Sequence, residues 1–234
     1  MMKATTLSNL IAMVLLLFSG TMNARDIYFN EDFSDGAIPA GWTTDDASGQ
    51  NAIWTYCADP NSGQVNGCPR LWDDALNLQG PFAATTATNG FMTLDSDAYG
   101  SLLNFHVSRL TSPPIDLTGT TAVYVEFNGH IGAFTVNPNV GALLQVSVDG
   151  GSNWTDFLPY PTLVTGSPVP PDIRWSFNPS MTSIDISSLV AGQANVLLRW
   201  QWEGNFEYHW NLDDVVLTNL PDLIFVDGLD STPP

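Results

Sequence analysis

Acidic side chains are the residues of this 234-residue chain best suited to chemistry, and aspartate dominates them. The sequence holds 24 Asp and Glu residues, of which only four are Glu. Asp is unfavourable inside helices and favours turns, caps and oxygen-liganded cation sites, so the bias favours loops and a calcium site over helices. Asp213 and Asp214 are adjacent at the end of an apolar strand pattern, where their carboxylates would repel and a cation would relieve the repulsion.

The usual short catalytic motifs are missing from the sequence. There is no His-Glu-x-x-His, no Gly-x-Ser-x-Gly and no glycine-rich phosphate loop. His106, His130 and His209 are scattered, which favours structural roles. A jelly-roll glycosidase needs two carboxylates about 5–9 Å apart, and Glu203 and Glu207 are the only close Glu pair. We therefore expect no enzyme, and a small jelly-roll glycan hydrolase is the alternative.

Charge and composition exclude two classes of protein. The formal net charge is -18, with only six Lys and Arg. Nucleic-acid binding needs clustered basic residues that displace counterions from phosphates, so no nucleic-acid partner is expected. A chain that is 44% hydrophobic and has eight Trp is too apolar to be disordered.

Residues 1–24 have the pattern of a secretory signal peptide. Lys3 precedes a nine-residue apolar run, Leu10–Phe18, and small and polar residues lead to Ala24. The run is too short for a membrane-spanning helix, which needs roughly 20 residues; an uncleaved anchor is the alternative. We expect a secreted, extracellular or outer cell-surface protein that is not transmembrane once the peptide is removed.

Export gives the two cysteines a structural meaning. Cys57 and Cys68 bracket a ten-residue stretch rich in turn-forming residues. An oxidising compartment and an even number of cysteines favour a disulfide between them. A structural zinc site would need His partners, and the nearest histidine is His106.

The remaining chain has the two-residue periodicity of β-strands. Apolar and polar residues alternate over 123–127, 144–148 and 196–202. Nineteen Gly and sixteen Pro, many of them in clusters between such segments, fit short strands joined by turns. The sequence predicts one all-β domain over residues 25–219, an antiparallel β-sandwich of the jelly-roll type.

The tryptophans divide into core and loop positions. Trp200 and Trp202 share a strand face with apolar residues and are expected in the core. Trp54, Trp72 and Trp175 lie in or beside loops, where an aromatic ring could stack on a sugar or a partner protein. They are weak ligand-binding candidates, and a structural role is the alternative for each.

Several segments, in their order and spacing, resemble a known family. The chain is similar to the cleaved-adhesin family, the MAM-like jelly-roll modules called choice-of-anchor J domains in secreted bacterial proteins. The resemblance extends from about residue 27 to residue 219. The segments that carry it are 29–33, 38–42, 146–154, 184–187, 195–200 and 210–215.

The resemblance implies a concanavalin- or MAM-like sandwich for adhesion or for binding a glycan or a surface or matrix protein. It also implies structural calcium where the first and last strands meet. Glu31 and Asp213 correspond to acidic positions of the family, and Asp45 and Asp46 lie in a loop that often supplies ligands in relatives. With the neighbouring Asp214 these residues form the predicted metal set. The alternatives are that the acids are solvated, or that Asp213 and Asp214 make turn hydrogen bonds.

One further motif concerns folding rather than chemistry. Ser147, Asp149, Gly151 and Trp154 match Ser-x-Asp-x-Gly-x-x-Trp, the Asp-box of sialidase-like propellers. In this motif Asp and Ser fasten a hairpin turn, Gly permits a positive φ and Trp lies beneath the turn. A single copy argues against a propeller, which would repeat it.

The C-terminal segment 220–234 follows the sandwich pattern as a separate tail. It resembles the short ends of some Gram-negative exported proteins, which suggests sorting; an extra edge strand is the alternative. The sequence as a whole predicts a secreted or cell-surface, calcium-stabilised binding module without catalytic activity.

Overall fold

The computed structural model describes residues 24–62, 68–69, 80–99, 105–134, 141–160, 173–204 and 208–221. The regular elements are strands, apart from two single-turn α-helices, Ser96–Tyr99 and Ser187–Val190, and a 3-10 turn at Ala87–Asn89. The strands are β1 Ile27–Glu31, β2 Thr43–Asp46, β3 Thr55–Cys57, β4 Phe91–Asp95, β5 His106–Thr111, β6 Tyr124–Phe134, β7 Gly141–Ser147, β8 Thr155–Phe157, β9 Ile173–Trp175, β10 Ser180–Asp185, β11 Leu197–Gly204 and β12 His209–Thr218.

The strands form two antiparallel sheets. The seven-stranded sheet has the order β10-β6-β12-β4-β3, with β1 paired to β12 and β9 paired to β6. The five-stranded sheet has the order β2-β5-β11-β7-β8. Consecutive strands are often in different sheets, as in a jelly roll, so most sheet contacts join distant parts of the sequence. The predicted all-β antiparallel sandwich is confirmed.

Alternation along the strands places apolar side chains between the sheets. In β11, Leu198, Trp200 and Trp202 are fully buried, as their spacing predicts. Trp210 of β12 packs against Trp202, with ring centroids 6.5 Å apart. Each fully buried aromatic side chain of this kind contributes roughly 1.5–3 kcal/mol, so these rings form the centre of the core.

A second, smaller apolar cluster lies on the outer face of the seven-stranded sheet. Met92 and Leu94 of β4 belong to the main core, whereas Phe91 belongs to the small cluster. The predicted disulfide between Cys57 and Cys68 is present within it. The cluster consists of Cys57, Cys68, Phe82, Ala84, Ala87 and Phe91.

Several predictions fall on residues that the structure does not describe. They concern the signal peptide up to residue 23, Trp72, Glu207 and the tail from residue 222. In the described part of the chain, no helix has the length and apolarity needed to cross a membrane.

Candidate functional site

Strand β12 changes its neighbour at the two adjacent aspartates. Its first half pairs with β4 and its second half with β1. On the opposite edge it pairs with β6, where Asp213 faces Asn128 and Val216 faces Glu126. β12 therefore has one more residue than β6 between these pairs, which is a β-bulge. Asp214 lies in this bulge with a left-handed φ of 52°.

The bulge keeps the apolar side of β12 directed to the core. Trp210 and Leu212 before it, and Val215 and Leu217 after it, are all completely buried. Without the extra residue, strict alternation would turn the second pair outward. Asp213 consequently lies on the outer side of the sheet, and Asp214 is bound there by the Asn128 side-chain amide, which donates to Asp214 Oδ2 at 2.7 Å.

The two carboxylates share one hydroxyl group. Thr86 Oγ1 lies 2.9 Å from Asp213 Oδ2 and 2.5 Å from Asp214 Oδ1. A threonine hydroxyl has a single hydrogen, so it can donate to only one of these two oxygens. The other contact needs a carboxyl proton or a cation. We call Thr86, Asp213 and Asp214 the carboxylate bulge.

Burial makes this shared contact expensive when both carboxylates are charged. Asp213 is fully buried. Burial, followed by the charge of Asp214, raises the pKa of Asp213 to about 8. Asp32, next to the first strand, also raises this pKa; the predicted metal set did not include Asp32.

The donor chemistry of the carboxylate bulge fits a hard cation. Ca2+ takes six to eight oxygen ligands, and three side-chain oxygens meet here: Thr86 Oγ1, Asp213 Oδ2 and Asp214 Oδ1. Among the described residues, no group of three or more His, Cys, Asp or Glu side chains could hold a metal ion. The remaining ligands would therefore be carbonyl oxygens or water.

The other predicted metal ligands are engaged elsewhere. Glu31 pairs in register with Val215, a core-facing position, and its carboxylate accepts from Phe33 N at 2.9 Å and Trp42 Nε1 at 3.1 Å. Burial raises the pKa of Glu31. The register therefore directs Glu31 toward Trp42 rather than toward Asp213.

Asp45 and Asp46 belong to β2, in the five-stranded sheet. The carboxylate of Asp46 accepts from the backbone of Ser48 at 2.9 Å and of Ala52 at 3.2 Å, which fastens a local turn. Asp45 lies 3.5 Å from Arg109 Nη1. The structure does not bring either carboxylate to the carboxylate bulge, so the five predicted ligands do not form one site.

The outer face of the five-stranded sheet carries a row of polar side chains across three strands. Arg199 of β11 pairs with Gln145 of β7, which pairs with Asp156 of β8. Arg199 Nε donates to Gln145 Oε1 at 2.6 Å, and Gln145 Nε2 donates to Asp156 Oδ1 at 2.7 Å. These side chains are therefore held in a fixed order across the sheet.

A second row lies beside the first. Asp45 of β2, Arg109 of β5 and Gln201 of β11 are cross-strand partners. Arg109 Nε donates to Gln201 Oε1 at 2.8 Å, and Gln201 Nε2 donates to Glu203 Oε1 at 2.6 Å. We call the two rows together the arginine face, which consists of Asp45, Arg109, Gln145, Asp156, Arg199 and Gln201.

The Asp-box hairpin supports one end of the arginine face. Ser147 Oγ donates to Asp149 Oδ1 at 2.8 Å, and Asp149 accepts from Asn153 N at 2.9 Å, as the motif predicts. Gly151 has a φ of 89°, which strongly favours glycine. The turn places Trp154 under Arg199, whose Cζ lies 3.7 Å from the centre of the indole ring, close enough for a cation–π contact.

The arginine face carries no net charge, because Asp45 and Asp156 balance Arg109 and Arg199, whereas the whole chain is strongly acidic. Burial, followed by the charge of Arg109, lowers the pKa of Arg199 to about 10, and Asp45 and Asp156 oppose that shift. Arg199 is thus charged at neutral pH. Guanidinium, amide and carboxylate groups in fixed positions can donate and accept several hydrogen bonds to a polar ligand.

The histidines on the seven-stranded sheet lie in a different environment. The rings of His130 and His209 are 5.2 Å apart and almost fully buried. Burial lowers the pKa of each to about 3, and for His130 the charge of His209 adds to this. Both are neutral at pH 7, far from the pKa of a general base. The hydrolase alternative requires Glu207, which is outside the described residues.

The predicted ligand-binding tryptophans require one correction. Trp54 is fully buried and packs on Trp210 at 5.3 Å between ring centroids, so it cannot stack on a ligand. Trp175 belongs to β9. Two residues beyond it, Phe177 is 86% exposed; nothing in its spacing along the sequence distinguishes it from a core phenylalanine.

Comparisons with known proteins found structural neighbours but no family. No family model matches the chain, and no curated protein matches it significantly. The K1 cleaved adhesin domain of Lys-gingipain from Porphyromonas gingivalis W83 is similar, with 16% identity over 85% of this chain and 100% of that chain and a TM-score of 0.48. The K3 domain of the same protein has 18% identity over 83% and 99%, with a TM-score of 0.48.

A carbohydrate-binding structure is also among the structural neighbours. TmCBM61, solved in complex with beta-1,4-galactotriose, has 12% identity over 83% of this chain and 99% of that chain, with a TM-score of 0.44. Because the identities are below 20% and the TM-scores below 0.5, these likenesses say nothing about what the chain binds. The choice-of-anchor J label is not confirmed.

Proposed function

We propose that the protein is a secreted or cell-surface, non-catalytic module that binds a glycan through the arginine face and is stabilised by calcium at the carboxylate bulge. The arginine face carries the proposal. Its planar side chains are ordered before any ligand arrives, because each is bonded to a neighbour on the next strand. A surface ordered in advance loses less conformational entropy on binding.

The chemistry of the arginine face suits a carbohydrate. Sugar hydroxyl groups both donate and accept hydrogen bonds, and the surface offers Arg donors and Asp acceptors. Gln145 and Gln201 are buried and hold the two arginines in place. Its outer parts reach solvent: the Asp45 side chain is 54% exposed and that of Arg109 is 27% exposed. A surface or matrix protein is the other partner that the sequence resemblance implied.

Calcium would be held by Asp213, Asp214 and the hydroxyl of Thr86. Bound there, calcium would offset the charges of both carboxylates, whereas the single hydrogen of the Thr86 hydroxyl can be donated to only one of them. The bulge lies where β12 leaves β4 and joins β1, so a cation at this point would stabilise the junction of the first and last strands. The predicted signal peptide and the disulfide between Cys57 and Cys68 support an extracellular location.

A polysaccharide-binding screen tests the proposal. The exported protein is applied to a glycan array and to insoluble polysaccharides, beside a variant with both Arg109→Ala and Arg199→Ala. We expect binding of at least one glycan class that falls at least 10-fold in the variant while the near-ultraviolet circular dichroism is unchanged. If no glycan binds, or if the folded variant binds as well as the parent, the proposed function is wrong.

A further inference from the structure

The two arginines of the arginine face concentrate the scarce positive charge of this chain. The sequence has six Lys and Arg against 24 Asp and Glu. Two of the six, Arg109 and Arg199, lie on adjacent strands β5 and β11, close enough for Arg109 to lower the pKa of Arg199. Asp45 and Asp156 oppose the repulsion between the two arginines, so the pair is compatible with folding, and the question is what its unused hydrogen-bond donors bind.

The protein uses only part of the hydrogen-bonding capacity of these arginines. A guanidinium group has five N–H donors. Arg199 donates through Nε to Gln145, and its terminal nitrogens make no hydrogen bond to any described residue. Arg109 donates through Nε to Gln201 and contacts Asp45 only at 3.5 Å. Both guanidinium groups retain donors for a ligand.

Two contacts fix the position of the Arg199 guanidinium group: the hydrogen bond to Gln145 and the stacking on Trp154. Trp154 lies beneath its guanidinium group, and the Asp-box hairpin holds Trp154 through the Trp154 Nε1 bond to Gly151 O at 2.9 Å. A guanidinium group held in one plane is suited to a planar anion, because carboxylates are bound by two parallel N–H···O bonds. A carboxylate binds a guanidinium group more strongly than a neutral sugar hydroxyl does, because both partners are charged and two parallel hydrogen bonds can form.

We propose that the ligand of the arginine face is a polyuronate, a polysaccharide whose carboxylate groups are received by Arg199 and Arg109. This inference rests on the proposed glycan-binding function and specifies the charge of the glycan. Asp45 and Asp156 balance the two arginines on this face, so the inference rests on the unused, oriented N–H donors and not on a positive field; acidic groups farther away than about 8 Å are largely screened at physiological ionic strength.

The test compares the same oligosaccharide with free carboxylates and with esterified, uncharged ones. Oligogalacturonates and their fully methyl-esterified forms are titrated into the exported protein by calorimetry, with EDTA present so that calcium cannot bridge uronates. We expect the free acid to bind at least 10-fold more tightly than the ester. Arg199→Gln should lower binding of the free acid at least 10-fold, and Arg199→Lys, which keeps the charge but not the planar fork, should lower it less.

A charge control separates the site from the net charge. Gln193 is exposed and outside the arginine face, and Gln193→Glu changes the net charge by the same amount as Arg199→Gln. The affinity of this variant for the free acid should stay within 2-fold of that of the parent. An equal loss in this control would overturn the inference. If Arg199→Gln does not fold, Arg109→Gln replaces it with the same expected loss.

Three further outcomes also overturn the inference. Equal binding of acid and ester, or binding of neutral glycans alone, would leave the proposed function standing but not the polyuronate. Tighter binding of dextran sulfate or of poly-glutamate than of uronates would assign another anion. Absence of binding to every glycan would contradict the proposed function itself and the inference with it.

Discussion

The two outer faces of the sandwich are both rich in polar side chains, but only one of them is open. On the seven-stranded sheet, Thr93, Asn211 and His130 are at most 2% exposed, and Thr93 Oγ1 donates to Asn211 Oδ1 at 2.7 Å. On the five-stranded sheet, Arg199 is half-buried and Asp156 is exposed. Polar content therefore does not identify a binding face; access to solvent does.

The two faces differ in solvent access because the segment before β4 covers the seven-stranded sheet. Residues 81–91 cross the outer face of the seven-stranded sheet with the small disulfide cluster, and Asn178 fastens them by donating to Pro81 O and accepting from Ala83 N. Polar groups beneath such a cover must satisfy one another. On the arginine face the polar groups are also bonded to one another but keep donors for a ligand.

The largest expected effect comes from the disulfide of the covered face. Replacing both Cys57 and Cys68 by Ala should lower the free energy of unfolding by about 3 kcal/mol, because the unfolded chain is no longer constrained. Urea denaturation at equilibrium measures this loss. Glycan binding by the folded variant should be unchanged, since the arginine face lies on the other sheet; a folded variant that no longer binds would contradict the separation.

The next effect concerns the carboxylate bulge. Millimolar calcium should raise the melting temperature of the parent protein. Asp213→Asn removes a buried charge next to Asp214, so in EDTA at pH 8 it should stabilise the fold by about 2 kcal/mol and abolish the calcium response. Differential scanning calorimetry with and without calcium measures both quantities.

Asp45→Asn is the matched control for the calcium experiment. It removes the same charge from the arginine face, where the structure shows no contact with the carboxylate bulge. Its calcium response should equal that of the parent. A parent protein that shows no rise in melting temperature would refute the calcium site.

The comparison also shows how far the sequence could predict the molecule. Alternation predicted the core side of β11 correctly because it depends only on neighbouring residues, and the Asp-box predicted its own turn for the same reason. Asp45 and Glu31 were assigned to one metal site although strand order and register direct them elsewhere. Strand order and register depend on which residues far apart in the sequence pair with each other, such as Glu31 with Val215, and a local sequence pattern holds no information on such pairs.

The residues of the arginine face escaped prediction for the same reason. Arg199 and Gln201 occupy the polar positions of a strand whose apolar positions were identified, so the sequence places them on the outer face. It does not show that Arg109 and Gln145 are their neighbours, because β5 and β7 are recruited from distant parts of the chain. Trp54 was misassigned for a related reason, since its loop position conceals the contact with Trp210.

The covered face should be sensitive to acid. His130 and His209 have a pKa of about 3 in the folded protein against about 6.5 when unfolded. The unfolded chain therefore binds more protons between these values, and the stability that neutral histidines allow is complete above pH 6.5 and lost as the pH falls toward 3. The loss should approach roughly 1.4 kcal/mol per pH unit for each histidine.

Urea midpoints at pH 7, 5.5 and 4 measure this dependence. The double variant His130→Gln with His209→Gln should show a shallower decline over the same range. A parallel decline in parent and variant would assign the acid sensitivity to carboxylates instead.

The smallest expected effect tests whether the open face is ordered before binding. Trp154→Ala removes the ring beneath Arg199, whose cation–π contact contributes about 0.5–1 kcal/mol, and also the Trp154 Nε1 bond to Gly151 O, which contributes about 0.5–1.5 kcal/mol, so stability should fall by about 1–2 kcal/mol. Binding should weaken several-fold, because the guanidinium group would then have to be ordered by the ligand. Trp154→Phe keeps an aromatic face and should retain most of the affinity.

Calorimetry on the three proteins distinguishes support of Arg199 by Trp154 from a direct contact between Trp154 and the ligand. If Trp154 stacked on the ligand, both Trp154→Phe and Trp154→Ala would alter the binding enthalpy even with an uncharged glycan. Since Arg199 already occupies a face of the ring, the change should appear only with ligands that need the charged group.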